Sequence, residues 1–168
     1  MNKVYIIAEA GDQHFGSLDT AFKLVDGAKN AGANCIKFQH HLPDEEMLPD
    51  VPMSSNFDQP LYEFLKENAL NISQHKKVKD YCEKLNIDYL CTPFSLKAAH
   101  ELLTIDVKFF KIGSGEMTDT PTVSAVADMG LPMIVSTGMS TFEEIDRTYQ
   151  LLIKKNIPIA LMNCTSEY

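Results

Sequence analysis

Residues 109–116 read FFKIGSGE. Two aromatic side chains lead into a lysine, a serine and a glutamate, with two glycines between them. Phe109 to Ile112 is short and apolar, so it reads as a buried strand, and Gly113 marks its end. A strand that stops on a cation, a hydroxyl and an acid around bare backbone presents chemistry rather than packing. The arrangement recurs along the chain. Val4–Ala8, Cys35–Phe38, Asp88–Cys91, Met133–Val135 and Ile159–Met162 are further apolar runs. Polar groups lie at or just beyond their ends: Glu9, Lys37 and Gln39, Thr92, Ser136 and Thr137, Thr165 and Ser166. The runs are too apolar for strands with one wet face, which predicts a parallel sheet covered on both sides.

Helical stretches separate these strands. Ser17 is placed to cap a helix that runs through Phe22, Val25 and Ala28 and stops near Gly32. Ser73 is expected to open a helix through Val78, Tyr81 and Leu85. Asp119-Thr120-Pro121 reads as a cap with proline in the first turn, and Gly130 ends that helix. Ser140 with Glu143 fits a capping box. Inside the long connection from His40 to Asn71, the stretch from Pro60 to Lys66 reads as a short helix. Strand and helix alternating at this spacing give right-handed βαβ units. Two architectures use such units, the doubly wound open sheet and the (β/α)8 barrel. The GxGxxG fingerprint of a dinucleotide-binding sheet is absent after the first strand. A barrel gathers its strand C-termini into one ring, which is where the polar residues fall. The expected fold class is therefore α/β, a (β/α)8 TIM barrel, here an incomplete portion covering about six strands.

Composition narrows the function. The chain has 168 residues, 45% hydrophobic and 23% charged, ordinary for a globular protein. A net charge of −8 argues against a nucleic-acid partner. No apolar run is long enough to span a bilayer, and the N-terminal residues lack the apolar core of a secretory signal. The four cysteines, Cys35, Cys82, Cys91 and Cys164, form no CxxC pair. Free thiols in a reducing cytoplasm are the expected reading.

Lys37 and Lys111 end different strands, and a lysine aimed into a barrel rim is costly unless an anion meets it. Two readings stay open. One is an anionic, phosphorylated substrate, held with help from Ser114, Ser136, Thr137 and the backbone at Gly113, Gly115 and Gly138. The other is a salt bridge from Lys111 to Glu116 or Glu9. Those two glutamates can serve as acid or base, or merely as lysine partners. His14, in the loop after the first strand, is the best-placed histidine. His40 and His41 follow the second strand, and His75 and His100 fall on helices, where packing or surface roles are expected. No HxH or HExxH spacing supports zinc. No GxSxG supports a serine hydrolase.

Six stretches in order, IAEAGDQHFGSL, GANCIKFQ, DYLCTPF, FFKIGSGE, PMIVSTGMST and LMNCTSEY, resemble the N-terminal barrel of the sialic acid (N-acetylneuraminate) synthase family. The resemblance runs from about Ile6 to Tyr168. It implies that residues 1–168 are the N-terminal part of a synthase TIM barrel, strands 1–6, without the last strands and the C-terminal antifreeze-like domain. It implies condensation of phosphoenolpyruvate with an N-acylated amino sugar such as N-acetylmannosamine, releasing phosphate. Carried over by position, Glu9, Lys37, Lys111 and Glu116 are implied catalytic residues. Gln39, Asn56, Thr92, Ser114, Ser136, Ser166 and Tyr168 are implied to bind substrate. A divalent metal, Mn or Mg, is implied for the full-length protein with its ligands outside this chain, as is a homodimer. This stretch alone is then expected to be inactive. Gln13-His14 departs from the family's usual Asn-His, and Ser166 stands where some members have asparagine. The alternatives are another phosphoenolpyruvate–aldose 3-deoxy-sugar-acid synthase and a non-catalytic anion-binding remnant.

Overall fold

The structure, a computed structural model, describes residues 4–50 and 59–166. It divides into two compact units, one up to Cys91 and one from Thr92 onward. The first unit runs β1 (Ile7–Gly11), α1 (Leu18–Asn30), β2 (Cys35–His40), α2 (Pro43–Glu46), α3 (Leu61–Asn68), α4 (Ile72–Lys84) and β3 (Asp88–Pro93), whose last two residues pass into the second. The second unit runs α5 (Leu96–Leu103), β4 (Phe110–Ile112), α6 (Thr120–Ala127), β5 (Met133–Ser136), α7 (Phe142–Ile153) and β6 (Ile159–Met162). The strand pairs β1–β2, β4–β5 and β5–β6 are all parallel. All the expected strands are present, alternating with helices as the βαβ reading requires.

Parallel strands need cover on both faces, and the sequence supplies it. In β2, Cys35, Ile36, Lys37 and Phe38 are all buried in succession. Helix α1 lays Ala21, Val25 and Ala28 inward, and its outer neighbours meet α4 through Phe22 and Tyr81, ring centroids 4.7 Å apart. In the second unit Phe110, Ile112, Met133 and Val135 form the strand side of the core, and Leu102, Val123, Val126 and Leu152 the helix side. Strand β6 departs from the expected pattern: it pairs with β5 yet leaves Leu161 42% and Met162 39% exposed.

Caps fix the helix starts. Ser17 accepts from Thr20 N, and Asp119 accepts from Thr122 N ahead of Pro121, both as expected. Several boundaries differ. The β1–β2 ladder starts only at Ile7, opposite Cys35, and Val4 to Ile6 precede it as exposed residues. Helix α4 opens at Asn71 rather than Ser73, because Asn71 and Gln74 exchange hydrogen bonds of 3.0 and 2.9 Å. Helix α7 opens at Thr141 with Glu144, one residue after the expected box, and Ser140 instead donates to Gly138 O at 3.3 Å. Among the described residues no helix is long and apolar enough to cross a membrane, and Cys35, Cys82, Cys91 and Cys164 are free thiols.

Candidate active site

Ser136 closes β5 and Thr92 stands one residue from the end of β3, whereas Glu9, Lys37 and Lys111 lie within β1, β2 and β4, and each unit carries its own cluster. In the first, Glu9 stands in register opposite Lys37. Lys37 is 8% exposed, and its Nζ meets Glu9 Oε2 at 2.6 Å. The ladder then slips, pairing Gly11 rather than Ala10 with Phe38. This bulge turns the Gly11 N–H back onto Glu9 Oε1 at 2.9 Å. Both carboxylate oxygens of Glu9 are therefore engaged, one by an ammonium and one by backbone. A lysine–glutamate pair, the bland alternative to a substrate anion, does exist in this unit, between Lys37 and Glu9.

Beside this pair lies a group the sequence left without a role. His41 Nδ1 lies 2.8 Å from Glu46 Oε1, while its Nε2 lies 3.0 Å from Gln39 Oε1 and 3.2 Å from Asp12 Oδ2. Burial opposes a charge on this ring. The hydrogen bonds and negative charges of Asp12 and Glu46 together outweigh it and raise His41 to about 9. His14 is fully buried, stacks on Phe38 at 6.1 Å and accepts from Gly16 N at 3.1 Å through Nδ1. Burial lowers its pKa, with His41 adding to the effect and Asp12 opposing it. His75 is a packing residue, bonded through Nδ1 to the Tyr89 hydroxyl at 2.8 Å, and burial holds it well below the usual histidine range. His100 is exposed on α5.

In the second unit Lys111 is 5% exposed, and its Nζ donates to Ser136 Oγ at 2.5 Å and to Ile112 O at 2.6 Å. Gly138 N donates to Ser114 Oγ at 3.1 Å, which ties the KIGSGE turn to the loop after β5. A β-carbon on Gly138 would collide with Ser166 Oγ and stand 2.9 Å from Ser114 Oγ. One on Gly113 would collide with the Glu116 carboxylate and stand 3.9 Å from the Thr92 methyl. At Gly113 and Gly138, though not at Gly115, bare backbone is required because the side chains of Glu116, Thr92, Ser114 and Ser166 close in there. Next to Ser136, Cys164 reports the local field. Desolvation pushes its thiol up, yet the Ser136 hydroxyl, the backbone of Thr137 and Gly138 and the Lys111 charge bring it below the ordinary value. Surroundings that favour a thiolate favour other anions.

Of the residues expected in the site, Glu9, Lys37 and Gln39 lie together in the first unit. Thr92, Lys111, Ser114, Glu116, Ser136 and Ser166 lie together in the second. Asn56 and Tyr168 fall outside the described residues. The sequence missed Asp12, His41 and Glu46 as a connected set. The available signal was a histidine after β2 followed five residues later by an acid. Among the described residues no group of three or more His, Cys, Asp or Glu is placed to hold a metal ion. These residues do not fit a divalent cation, and no step below runs through one.

Alternating βα units whose strands carry buried lysines beside carboxylates and hydroxyls define an α/β chain of the (β/α)8 type. The chain matches the NeuB family over residues 24–168 and belongs to it. It is 33% identical over 180 residues to the N-acetylneuraminate-9-phosphate synthase of Drosophila melanogaster, covering 100% of this chain and 47% of that protein. It is 34% identical over 177 residues to the N,N'-diacetyllegionaminic acid synthase of Campylobacter jejuni, covering 100% of this chain and 53% of that protein. The chain therefore spans about half the length of the curated relatives it matches. Its fold superposes on an N-acetylneuraminic acid synthetase from Leptospira borgpetersenii with a TM-score of 0.90 and 32% identity, over 99% of this chain and 56% of the other.

Proposed function

We propose that the natural protein carrying this chain condenses phosphoenolpyruvate with an N-acylated amino sugar, giving a sialic-acid-type nonulosonic acid and phosphate. The observation that carries the reading is Lys111. Its ammonium is buried beside the Ser136 hydroxyl, next to a thiol that the same surroundings push toward the anion. The kinship with synthases of N-acetylneuraminate-9-phosphate and diacetyllegionaminic acid supports the product class.

In this reading Lys111, Ser136 and Ser114 bind the anionic groups of phosphoenolpyruvate. Lys37 adds positive charge, with Glu9 as its counter-ion in the resting state. Gln39, Thr92 and Ser166 contact substrate, and Glu116 serves the reacting centre. C3 of phosphoenolpyruvate forms the new bond to the aldehyde carbon of the open-chain sugar, and the aldehyde oxygen takes up a proton. Water adds at C2, and the resulting intermediate loses phosphate by breaking its C–O bond. The lysines stabilise charge that is redistributed along this path. The divalent metal belongs to the proposal only as a group whose ligands lie outside the described residues. A homodimer and a cytoplasmic setting complete it, the latter supported by the free thiols.

The test is phosphate release from phosphoenolpyruvate by the natural protein with a panel of acceptors: N-acetylmannosamine, its 6-phosphate, a diacetamido hexose and plain aldose phosphates. Release that needs an acylamino sugar and falls at least about a hundredfold in Lys111→Met supports the reading. Release only with plain aldose phosphates, or none with any acceptor, refutes it.

A further inference from the structure

His41 and Gln39 share an arrangement with a chemical consequence. His41 is 7% exposed, and every polar partner described for its ring is an acceptor: Glu46 Oε1 at Nδ1, Asp12 Oδ2 and Gln39 Oε1 at Nε2. Carboxylates accept and cannot donate, so each ring nitrogen must carry a hydrogen, which makes the ring an imidazolium. That ring in turn dictates the carboxamide of Gln39. An N–H faces a carbonyl oxygen and repels an NH2, so Oε1 is held toward His41 and the NH2 turns away. The NH2 end comes out on the Glu9 side: Gln39 Nε2 and Glu9 Oε1 lie 3.9 and 3.6 Å from where a β-carbon on Gly11 would stand.

We propose that His41 is a positioning residue that locks the Gln39 carboxamide with its NH2 toward the Glu9 end of the rim, making Gln39 a hydrogen-bond donor to an oxygen of the acceptor sugar. The role for the sugar rests on the function proposed above; the locking does not. If the ring loses its Nε2 hydrogen, Nε2 becomes an acceptor. The carboxamide then gains by swapping ends, and it offers the substrate an oxygen instead of a donor. The groups that set this balance are Asp12 from the loop after β1, Glu46 from α2, and the neighbouring rings of His14, His40 and His75. Of these, His14 and His75 are biased toward neutrality by burial. The change falls where His41 titrates, at about 9.

The experiment has two arms on the natural protein. In the first, ring-nitrogen NMR of His41 and the side-chain amide resonances of Gln39 are followed from neutral to alkaline pH. The expected result is a doubly protonated ring at neutral pH and Gln39 resonances that move with it as it titrates. A ring neutral at pH 7, or amide resonances indifferent to it, overturns the lock. In the second, the KM for the acceptor sugar is measured against pH for wild type, His41→Gln and Gln39→Ala. Wild type should lose roughly tenfold in KM above the titration, with kcat little changed. Both variants should start with a raised KM and show no such limb. A limb that persists in Gln39→Ala would mean that His41 acts only by holding the loops, and would overturn the proposal. Absence of turnover with every acceptor would refute the synthase reading and with it the role toward the sugar, while the NMR arm still decides whether His41 locks Gln39.

Discussion

Gly138 has no room for a side chain, because Ser166 Oγ and Ser114 Oγ occupy the space a β-carbon would take. Gly138→Ala should therefore push both serines aside. The expected result is at least about a tenfold loss of phosphoenolpyruvate affinity by calorimetry, with destabilisation of about 1–3 kcal/mol. Unchanged affinity would remove these serines from the binding argument. Cys164 offers a second probe at this scale that needs no turnover. Its thiol is held below the ordinary value partly by Lys111 and Ser136, so Lys111→Ala should move the alkaline rise in iodoacetamide alkylation to higher pH. An unmoved profile would show that the ammonium does not reach that pocket. At the level of residues much was legible in the sequence. The burial of Lys111 and Ser136 followed from their place in or at the end of apolar runs, Lys111 inside β4 and Ser136 closing β5. Asp12, His41 and Glu46 were not legible as a set. Their grouping depends on the bulge in β1, the short helix α2 and the exit of β2 meeting in space, of which the spacing from His41 to Glu46 encodes only a part.

Between elements, His41 joins the end of β2 to α2 and to the loop after β1. A histidine raised from 6.5 to about 9 by carboxylate partners stabilises the folded state fully below pH 6.5 and loses that contribution as pH rises through about 9. The full effect is on the order of 3 kcal/mol. Wild type should lose its stability advantage over His41→Gln across that window in urea unfolding, and a constant advantage would contradict the assignment. His75 works in the other direction. Its lowered pKa means that its contribution is present above pH 6.5 and is lost as pH falls below it, so acid should loosen α4 from the Tyr89 contact. The helix starts show why boundaries were harder to read than elements. Asn71 and Ser73, or Ser140 and Thr141, are chemically similar caps one or two residues apart. The choice between them depends on which partner at the third helical position can reach back. Asn71→Ala should cost about 1 kcal/mol in a thermal melt, and Ser73→Ala much less.

For the whole molecule, the sequence's alternation of apolar strand and amphipathic helix left few choices, because βαβ units have one hand and parallel strands need cover on both sides. The (β/α)8 type followed from where the polar residues stood, at the strand ends, and the family match agrees with it. Exposure of β6 was not legible. An apolar run says that a strand can be buried, and it does not say what lies over it. If this chain carries the phosphoenolpyruvate end of a condensing synthase, the bond that breaks in phosphoenolpyruvate is its C–O bond. The most direct measurement uses phosphoenolpyruvate labelled with 18O in the oxygen bridging carbon and phosphorus. The natural protein is incubated with it and an acylamino sugar, and any phosphate released is read by 31P NMR. The released phosphate should retain the label, because the C–O bond breaks, and Lys111→Met should suppress the signal. Unlabelled phosphate, from P–O cleavage, would contradict it.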